Sequence, residues 1–328
     1  MRPEIIEFAA DLPVKAHIRD VESYPYHWHD ALEIIVVLEG QAIIGIGGES
    51  HLLKENDIAV VNINEIHRIQ KSSGDNKLLI VQVDGEFCAT IPDLQYTFIH
   101  CCSPYHENQA PEKYNILKED VFRLVYLIIE KFRKIDIIGC LDETLVEMAD
   151  NFDYLRYGPG INAFNEKRVQ RYKRIYEYTM NTQWKNQSLT ELAKTMGISM
   201  RHLSQDIKDK FGLTYQELLF CGKCMKAARL LLGTDKLVNK IAAECGFSDV
   251  KYLVKHFKRN FNCNPSDFRK KHRLNGEPLV SQLKYKELPL SSFREKIFEN
   301  LSRLKTLNAQ AGEELPWHPV RKFCARSP

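Results

Sequence analysis

Met200, Arg201, Ser204, Gln205 and Lys208 fall at the i, i+1, i+4, i+5 and i+8 positions of one helical face. Fifty residues on, Val250, Lys251, Val254, Lys255 and Lys258 repeat that spacing, with Arg259 beside them. Arginine, lysine and glutamine bond base edges, and methionine or valine touches a thymine methyl. Cations farther along, such as Lys258, Arg259, Lys270 and Lys271, suit phosphates. One such face is ordinary exposed helix; two in a basic segment point to double-stranded DNA. Near the other end, His27 and His29 stand two residues apart, so on a strand both imidazoles would face the same way, a few residues before Glu33.

The elements that must position the first two sets are legible in the same region. Residues 189–212 and 238–262 are copies of one pattern, offset by 49 to 50 residues. Leu192-Ala193 matches Ile241-Ala242, Gly197-Ile198-Ser199 matches Gly246-Phe247-Ser248, and Leu203, Ile207 and Phe211 match Leu253, Phe257 and Phe261. Each copy reads as a short helix, a corner and a second helix. The alanine lets two helices cross closely, and the glycine takes positive φ to end the first helix. Ser199 and Ser248 are the expected N-caps of the second helices. Ser188-Leu189-Thr190-Glu191 has the form of a capping box. This is the helix-turn-helix plan, here with units 188–212 and 237–262. Residues 215–232 between them predict one long helix, with Leu218, Leu219, Met225, Ala228 and Leu232 on its buried side. It would hold the two heads about one turn of DNA apart, roughly 34 Å.

At 328 residues the chain predicts more than one domain. Its net charge of +3 conceals an asymmetry: residues 166–273 hold 23 Lys and Arg against 10 Asp and Glu, while the remainder carries −10. One basic and one acidic module is the pattern expected when only one of them meets a polyanion. Within a first module at 1–115, residues 1 to about 100 read as β-rich, with strand candidates at 32–38, 42–46, 57–63 and 78–83 and a turn at Gly47-Gly48. From about Lys118 the period becomes helical, with Val121, Leu124, Val125, Ile128 and Ile129 inside and Arg123, Glu130 and Lys131 outside. A second helix is expected over 142–156, ending at a linker, Tyr157-Gly158-Pro159-Gly160. These helices, within 116–160, either pack on the β module or form a dimer seam. The tail, 274–328, is interrupted by Pro278, Pro289, Pro316 and Pro319 and predicts one helix near 292–304, without an assignable role. No apolar run is long enough for a membrane span or a signal peptide. Nine scattered cysteines suit reduced thiols in a cytosol. Cys221-Gly222-Lys223-Cys224 has redox or zinc spacing but no second pair at zinc-finger distance, and reads as buried free thiols. No phosphate loop or nucleophile elbow is present.

Residues 166–273 resemble the DNA-binding domain of AraC-type regulators. The resemblance rests most on Ile241-Ala242, Cys245-Gly246-Phe247-Ser248-Asp249, Tyr252-Leu253, His256-Phe257-Lys258, Pro265 and Phe268-Arg269. Leu237 departs from it where a capping Ser or Thr is common, and Lys240 where an acidic residue is common. Asp206 and Asp209 stand near the first reading face, where they would repel phosphates.

The N-terminal segment resembles the cupin barrel fused to such domains, through His27-Trp28-His29, Glu33, Gly40 and the stretch from Asn56-Asp57 to His67. In metal-binding cupins the positions matching His27, His29, Glu33 and His67 coordinate a divalent ion. Three imidazoles and a carboxylate suit Fe, Mn, Ni or Zn. Asn56 and Asn62 depart from the resemblance, standing where Gly and Pro are usual. The four residues therefore carry three readings: an effector pocket without metal, a structural cluster, or a metal site.

The fold expected is α+β in two domains: a cupin-like β-barrel with a helical linker or dimerisation segment, then an all-α double helix-turn-helix domain. The function expected is a cytoplasmic transcription regulator, not an enzyme. It would bind promoter DNA through the two faces above and a sugar-like or other polar effector at His27, His29, Glu33 and His67. No cofactor is expected. The implied partners are DNA, the effector, a second copy of the chain and RNA polymerase, with no membrane. The competing reading is a metal-dependent cupin enzyme with an auxiliary DNA domain.

Overall fold

The computed structural model describes residues 4–9, 11–46, 49–91, 94, 97–154, 166–180, 188–272 and 283–310. The Gly47-Gly48 turn, the Tyr157-Gly158-Pro159-Gly160 linker and the tail beyond residue 310 lie outside them.

The N-terminal half is an antiparallel sheet rolled into a nearly closed barrel. Its strands are β1 (Val14–His27), β2 (Leu32–Glu39), β3 (Gln41–Ile46), β4 (Glu49–Lys54), β5 (Ile58–Val61), β6 (His67–Lys71) and β7 (Lys77–Val83). They lie in the order β4-β3-β6-β1-β7-β2-β5. Alternation sorts their side chains. Glu33, Ile35 and Val37 of β2 face inward, and the last two pack with Ile44, Ala59, Ile69, Leu78 and Ile80. Ile34, Val36 and Leu38 face outward into a second apolar layer. Burial on both faces explains why β2 reads as an unbroken apolar run. The side chain of Asn76 and the backbone of Val21 on β1 exchange two hydrogen bonds of 2.9 Å, which fills the gap between β6 and β7. Among the described residues no ladder joins the edge strands β4 and β5, so the barrel keeps a seam.

The outer layer comes from helices. After the short α1 (Gly85–Cys88) and α2 (Ser103–His106) come α3 (Pro111–Ile129) and α4 (Lys134–Phe152). Leu117, Val121, Leu124 and Val125 of α3 and Leu141, Leu145 and Met148 of α4 pack onto Ile34, Val36 and Val81 of the sheet. The second helix thus begins eight residues earlier than its expected start at 142. Arg123 is not outward either: it bridges the helices through Asp120 (2.8 Å) and Glu143 (2.7 Å).

The C-terminal half is helical: α5 (Glu166–Met180), α6 (Leu189–Thr195), α7 (Met200–Phe211), α8 (Tyr215–Gly233), α9 (Val238–Glu244), α10 (Val250–Phe261) and α11 (Pro265–His272). Two cores form side by side. Tyr172, Ile175, Leu192, Ala193, Leu203 and Ile207 make the first; Ala228, Leu232, Ile241, Ala242, Leu253, Phe257 and Phe268 make the second. The long α8 supplies both, Leu218 and Leu219 to one and Ala228 and Leu232 to the other. Met225, expected inside, is half-buried.

The tail then returns to the barrel. Strand β8 (Lys284–Leu288) pairs with Ile18–Ser23 on the free edge of β1. Helix α12 (Arg294–Gln310) lays Ile297, Leu301 and Leu304 into the layer that α3 and α4 share. The helix expected near 292–304 starts two residues later and runs six residues farther.

Candidate functional site

The two copies fold alike because their corners do. Gly197 and Gly246 take φ of +65° and +73°, a conformation costly for any residue with a Cβ. In each corner the backbone N–H just after the glycine returns to the alanine carbonyl: Ile198 to Ala193 (3.1 Å) and Phe247 to Ala242 (2.9 Å). Ser188 caps α6 by accepting from the Glu191 N–H, and Ser199 caps α7 by accepting from the His202 N–H. In the second copy the expected cap, Ser248, gives way to Asp249, whose carboxylate accepts from the Lys251 N–H at 2.7 Å. The extra residue in that copy moves the cap one place on. Leu237 offers α9 no side-chain cap.

Met200, Arg201, Ser204, Gln205 and Lys208 on α7 are all exposed, as are Lys251, Lys255, Lys258 and Arg259 on α10; Val250 and Val254 are half-buried at the edge of that face. Lys270 and Lys271 flank the same head on α11, both exposed. Arg259 is drawn toward the Glu217 carboxylate, which also closes a capping box with Thr214 at the start of α8. Asp206 is not on the reading face. It is buried and paired to Arg171 and Arg168 of α5, so it repels nothing at the surface. Asp209 is exposed and accepts from Gln205. Tyr252, named above only among the residues that carry the resemblance, is half exposed on α10 next to Lys251.

In the barrel, His27 from the end of β1, His29 just beyond it, Glu33 of β2 and His67 at the start of β6 come together as the resemblance implies. The three imidazoles offer ligand atoms within 4.8 Å of one another, and all four side chains are buried. His29 Nε2 lies 3.2 Å from Glu33 Oε2 and His67 Nε2 lies 3.4 Å from Glu33 Oε1. Gln82 Nε2 donates to Glu33 Oε2 at 2.8 Å, and His27 Nε2 lies 3.3 Å from Glu4. The three Nδ1 atoms face backbone carbonyls: Pro25 at 3.0 Å, Ala31 at 3.0 Å and Glu65 at 2.9 Å. His29 thus has an oxygen acceptor at both nitrogens, which one neutral imidazole cannot satisfy. Burial opposes charge on Glu33, yet the hydrogen bonds from His29 and His67 hold its pKa well below the carboxylate range. Burial likewise opposes charge on His29, and the Glu33 carboxylate overrides it and raises the pKa. His27 is held well below the usual histidine value by burial and by His67. Backbone acceptors at Nδ1 that aim Nε2 inward are how a ligating histidine is oriented. The donor set therefore fits a divalent cation. Asn56 takes φ of +71°, so it serves at a position where the resemblance has glycine.

The four side chains pack against each other, and the cavities open beside them. One of about 460 Å³ lies between residues 62–65 and helices α5, α7 and α8. Another of about 490 Å³ lies at the barrel seam. Cys224 is buried and Cys221 Sγ rests 3.2 Å from Asn260, as free thiols. No helix among the described residues is long and apolar enough to cross a membrane.

Two family models match this chain. The AraC-like ligand binding domain covers residues 16–119, and a helix-turn-helix domain covers 192–271. Together they take in more than half of the sequence. The chain belongs to the AraC family. As an AraC-type transcription regulator it joins a ligand-binding domain to a helix-turn-helix DNA-binding domain. The HTH-type transcriptional activator RhaS of Escherichia coli O1:K1 is 24% identical over 272 residues, which is 75% of this chain and 87% of that protein. RhaS of Shigella sonnei gives the same figures. Among solved structures, ToxT from Vibrio cholerae O395 aligns over 81% of this chain and 99% of its own, at 12% identity and a TM-score of 0.43. The C-terminal domain of AraT, a response regulator from Geobacillus stearothermophilus, aligns over 32% of this chain and 88% of its own, at 25% identity and a TM-score of 0.30.

Proposed function

We propose that this AraC-type regulator acts in the cytoplasm and grips promoter DNA with α7 and α10 in successive major grooves. A small polar effector held by the N-terminal domain sets its DNA affinity, and the chain itself catalyses nothing. One observation carries the reading: two helices, each held by its own alanine-and-glycine corner, expose Arg201, Gln205 and Lys208 and Lys251, Lys255 and Lys258 from one strongly basic segment. Lys251 and Lys255 read bases or phosphates in the second groove; Tyr252 and Arg259 stand at its edge. Pairing of two chains and contact with RNA polymerase beside the promoter complete the proposal. Fluorescence anisotropy with promoter fragments tests it. Affinity should fall steeply with salt, with a log–log slope of about −0.9 for each phosphate neutralised. A lysine or arginine paired to a base edge is worth about 1–3 kcal/mol, so replacing Lys251 and Lys255 together by alanine should weaken binding at least tenfold. A flat salt response, or a double variant that binds as well as the parent, contradicts it.

The barrel cluster supports a second reading for that site: His27, His29, His67 and Glu33 hold a divalent cation that braces the strands they stand on. The three imidazoles converging on one another beside Glu33, each with Nδ1 held by a backbone carbonyl, favour it. Elemental analysis of the purified chain decides. About one Zn, Ni, Mn or Fe per chain, lost in His29→Ala, supports the cation; absence of metal after growth and refolding with those ions leaves a proton-bridged structural cluster.

A further inference from the structure

Three barrel residues belong to the core of the second reading head. Tyr26, Trp28 and Ile66 are buried in one apolar cluster with Ala228, Leu231 and Phe268 of the helical half. The Tyr26 ring lies 5.5 Å from that of Phe268 and stands edge-on to His272 of α11, 4.9 Å away. On the α8 side, Arg229 donates to the Asn64 carbonyl at 3.4 Å. These contacts reach the head through α8 and α11, and Lys251, Lys255 and Lys258 of α10 stay exposed while they are in place. Alternation explains why the three residues turn toward the reader. His27 and His67 are register partners on β1 and β6 and point into the barrel cluster. Their chain neighbours Tyr26, Trp28 and Ile66 therefore point out of it. His29, just past the strand, returns to the cluster, so Trp28 stands between two of its imidazoles. A hydrogen-bonded path runs beside the apolar one. The His29 carbonyl accepts from the Asn64 N–H at 2.8 Å, and the Asn64 carbonyl accepts from Arg229. The backbone that holds the cluster thus also holds the back of the second head. The first head meets the barrel side elsewhere, where Lys210 and Tyr154 exchange hydrogen bonds.

We propose that Tyr26, Trp28 and Ile66 are positioning residues for DNA binding: they form a seat that holds α10 in its reading orientation, and the histidine cluster sets that seat from the other side of the same strands. The proposal rests on the regulator reading above and names the part of the barrel on which the second head depends. It also fixes a sign. The seated head keeps its reading face open, so loosening the seat lowers DNA affinity instead of releasing a blocked reader. Truncating Trp28 leaves a cavity beneath the head, and α10 tilts as the surroundings relax to fill it.

Fluorescence anisotropy of the full chain tests the assignment. The probes are a duplex that the parent chain selects from a random-sequence pool and two derivatives of it, each with one half-site scrambled; Lys251→Ala identifies which half-site belongs to the second head. Trp28→Ala should weaken binding at least tenfold to the intact duplex and to the derivative that keeps the second head's half-site. Its affinity for the other derivative should change less than twofold. Trp28→Phe should recover most of the loss. Arg229→Ala should weaken the second half-site at least threefold, and it carries the test if circular dichroism shows Trp28→Ala to be unfolded. His29→Ala should also weaken the second half-site, and the double variant with Trp28→Ala should lose no more than Trp28→Ala alone, because sites that act through one contact are not additive. Folded variants that bind as the parent does, that bind more tightly, or that lose affinity equally for both half-sites overturn the seat. Strictly additive losses at His29 and Trp28 overturn its link to the cluster. A parent that binds no duplex from the pool removes the regulator reading; a parent that binds while the seat variants change nothing spares the regulator and removes the seat.

Discussion

At the scale of single residues, the exposed faces of α7 and α10 and the barrel histidines were visible in the sequence, and the seam was not. Helical spacing is local, so Arg201 and Lys251 declare their face from a few neighbours. His27, His29, Glu33 and His67 required the cupin resemblance, because His67 lies 34 positions beyond Glu33 and no local pattern joins them. His51 and His106, which line the seam cavity, come together only once the sheet has rolled. The corner glycines carry the sharpest residue-level expectation. Gly246 has its φ at +73°, where a Cβ costs about 1–2 kcal/mol. Gly246→Ala should therefore lower the stability of the second head by about that amount in denaturant titration and weaken DNA binding. Gly246→Asn, which tolerates this conformation better, should lose less. Asp206 is a case where sequence position misled: counting along α7 placed it near the surface, and the arginines of α5 drew it inside.

Among the elements, those with local signals were found and those depending on distant partners were not. The α6–α7 and α9–α10 pairs and α8 follow from caps, corners and apolar period. Strand β1 was missed because its buried positions include His17 and Arg19, which break the alternation of apolar and polar residues. Strand β8 has no local signature at all, since Tyr285 pairs with Val21 across nearly the whole chain. On the partner strand the Arg19 guanidinium lies 4.5 Å from the centre of the Tyr285 ring. Helix α12 buries Leu301 and Leu304 against α3, and truncation of such a leucine to alanine costs about 2–5 kcal/mol. Leu301→Ala should lower the melting temperature of the sensor half, followed by circular dichroism. Ending the chain after His272 should do so more severely and promote self-association, because it uncovers the β1 edge and the apolar side of α3 together. A truncated chain as stable as the parent would mean that the tail contributes nothing to the barrel.

For the molecule as a whole, buried neutral histidines set the acid limit. Burial holds His17 at about 3 and the half-buried His272 at about 4, against an ordinary 6.5. The unfolded chain therefore takes up protons before the folded one as pH falls, so stability is intact above about pH 6.5 and drains away between there and pH 4. Lys210 acts at the alkaline end. Burial pulls it down to about 8, below its unfolded value, so folding should gain as pH rises from 8 toward 10.5. Chemical denaturation at pH 7.0 and 5.0 should show the loss on the acid side, and His272→Gln should reduce it. Equal stability at both values would show that these rings are not held neutral.

The return of the tail to the sheet changes what kind of joint connects reader and sensor. The chain leaves the barrel side at Tyr154, builds α5 to α11, and comes back as β8 on the strand that carries His17 and Arg19. Tyr26 of that strand also rests on Phe268 of the reader, ring centres 5.5 Å apart. The helical half is thus moored to the sheet at three places, before α5, after α11 and through Tyr26, so a change in the barrel has more than one route to α7 and α10.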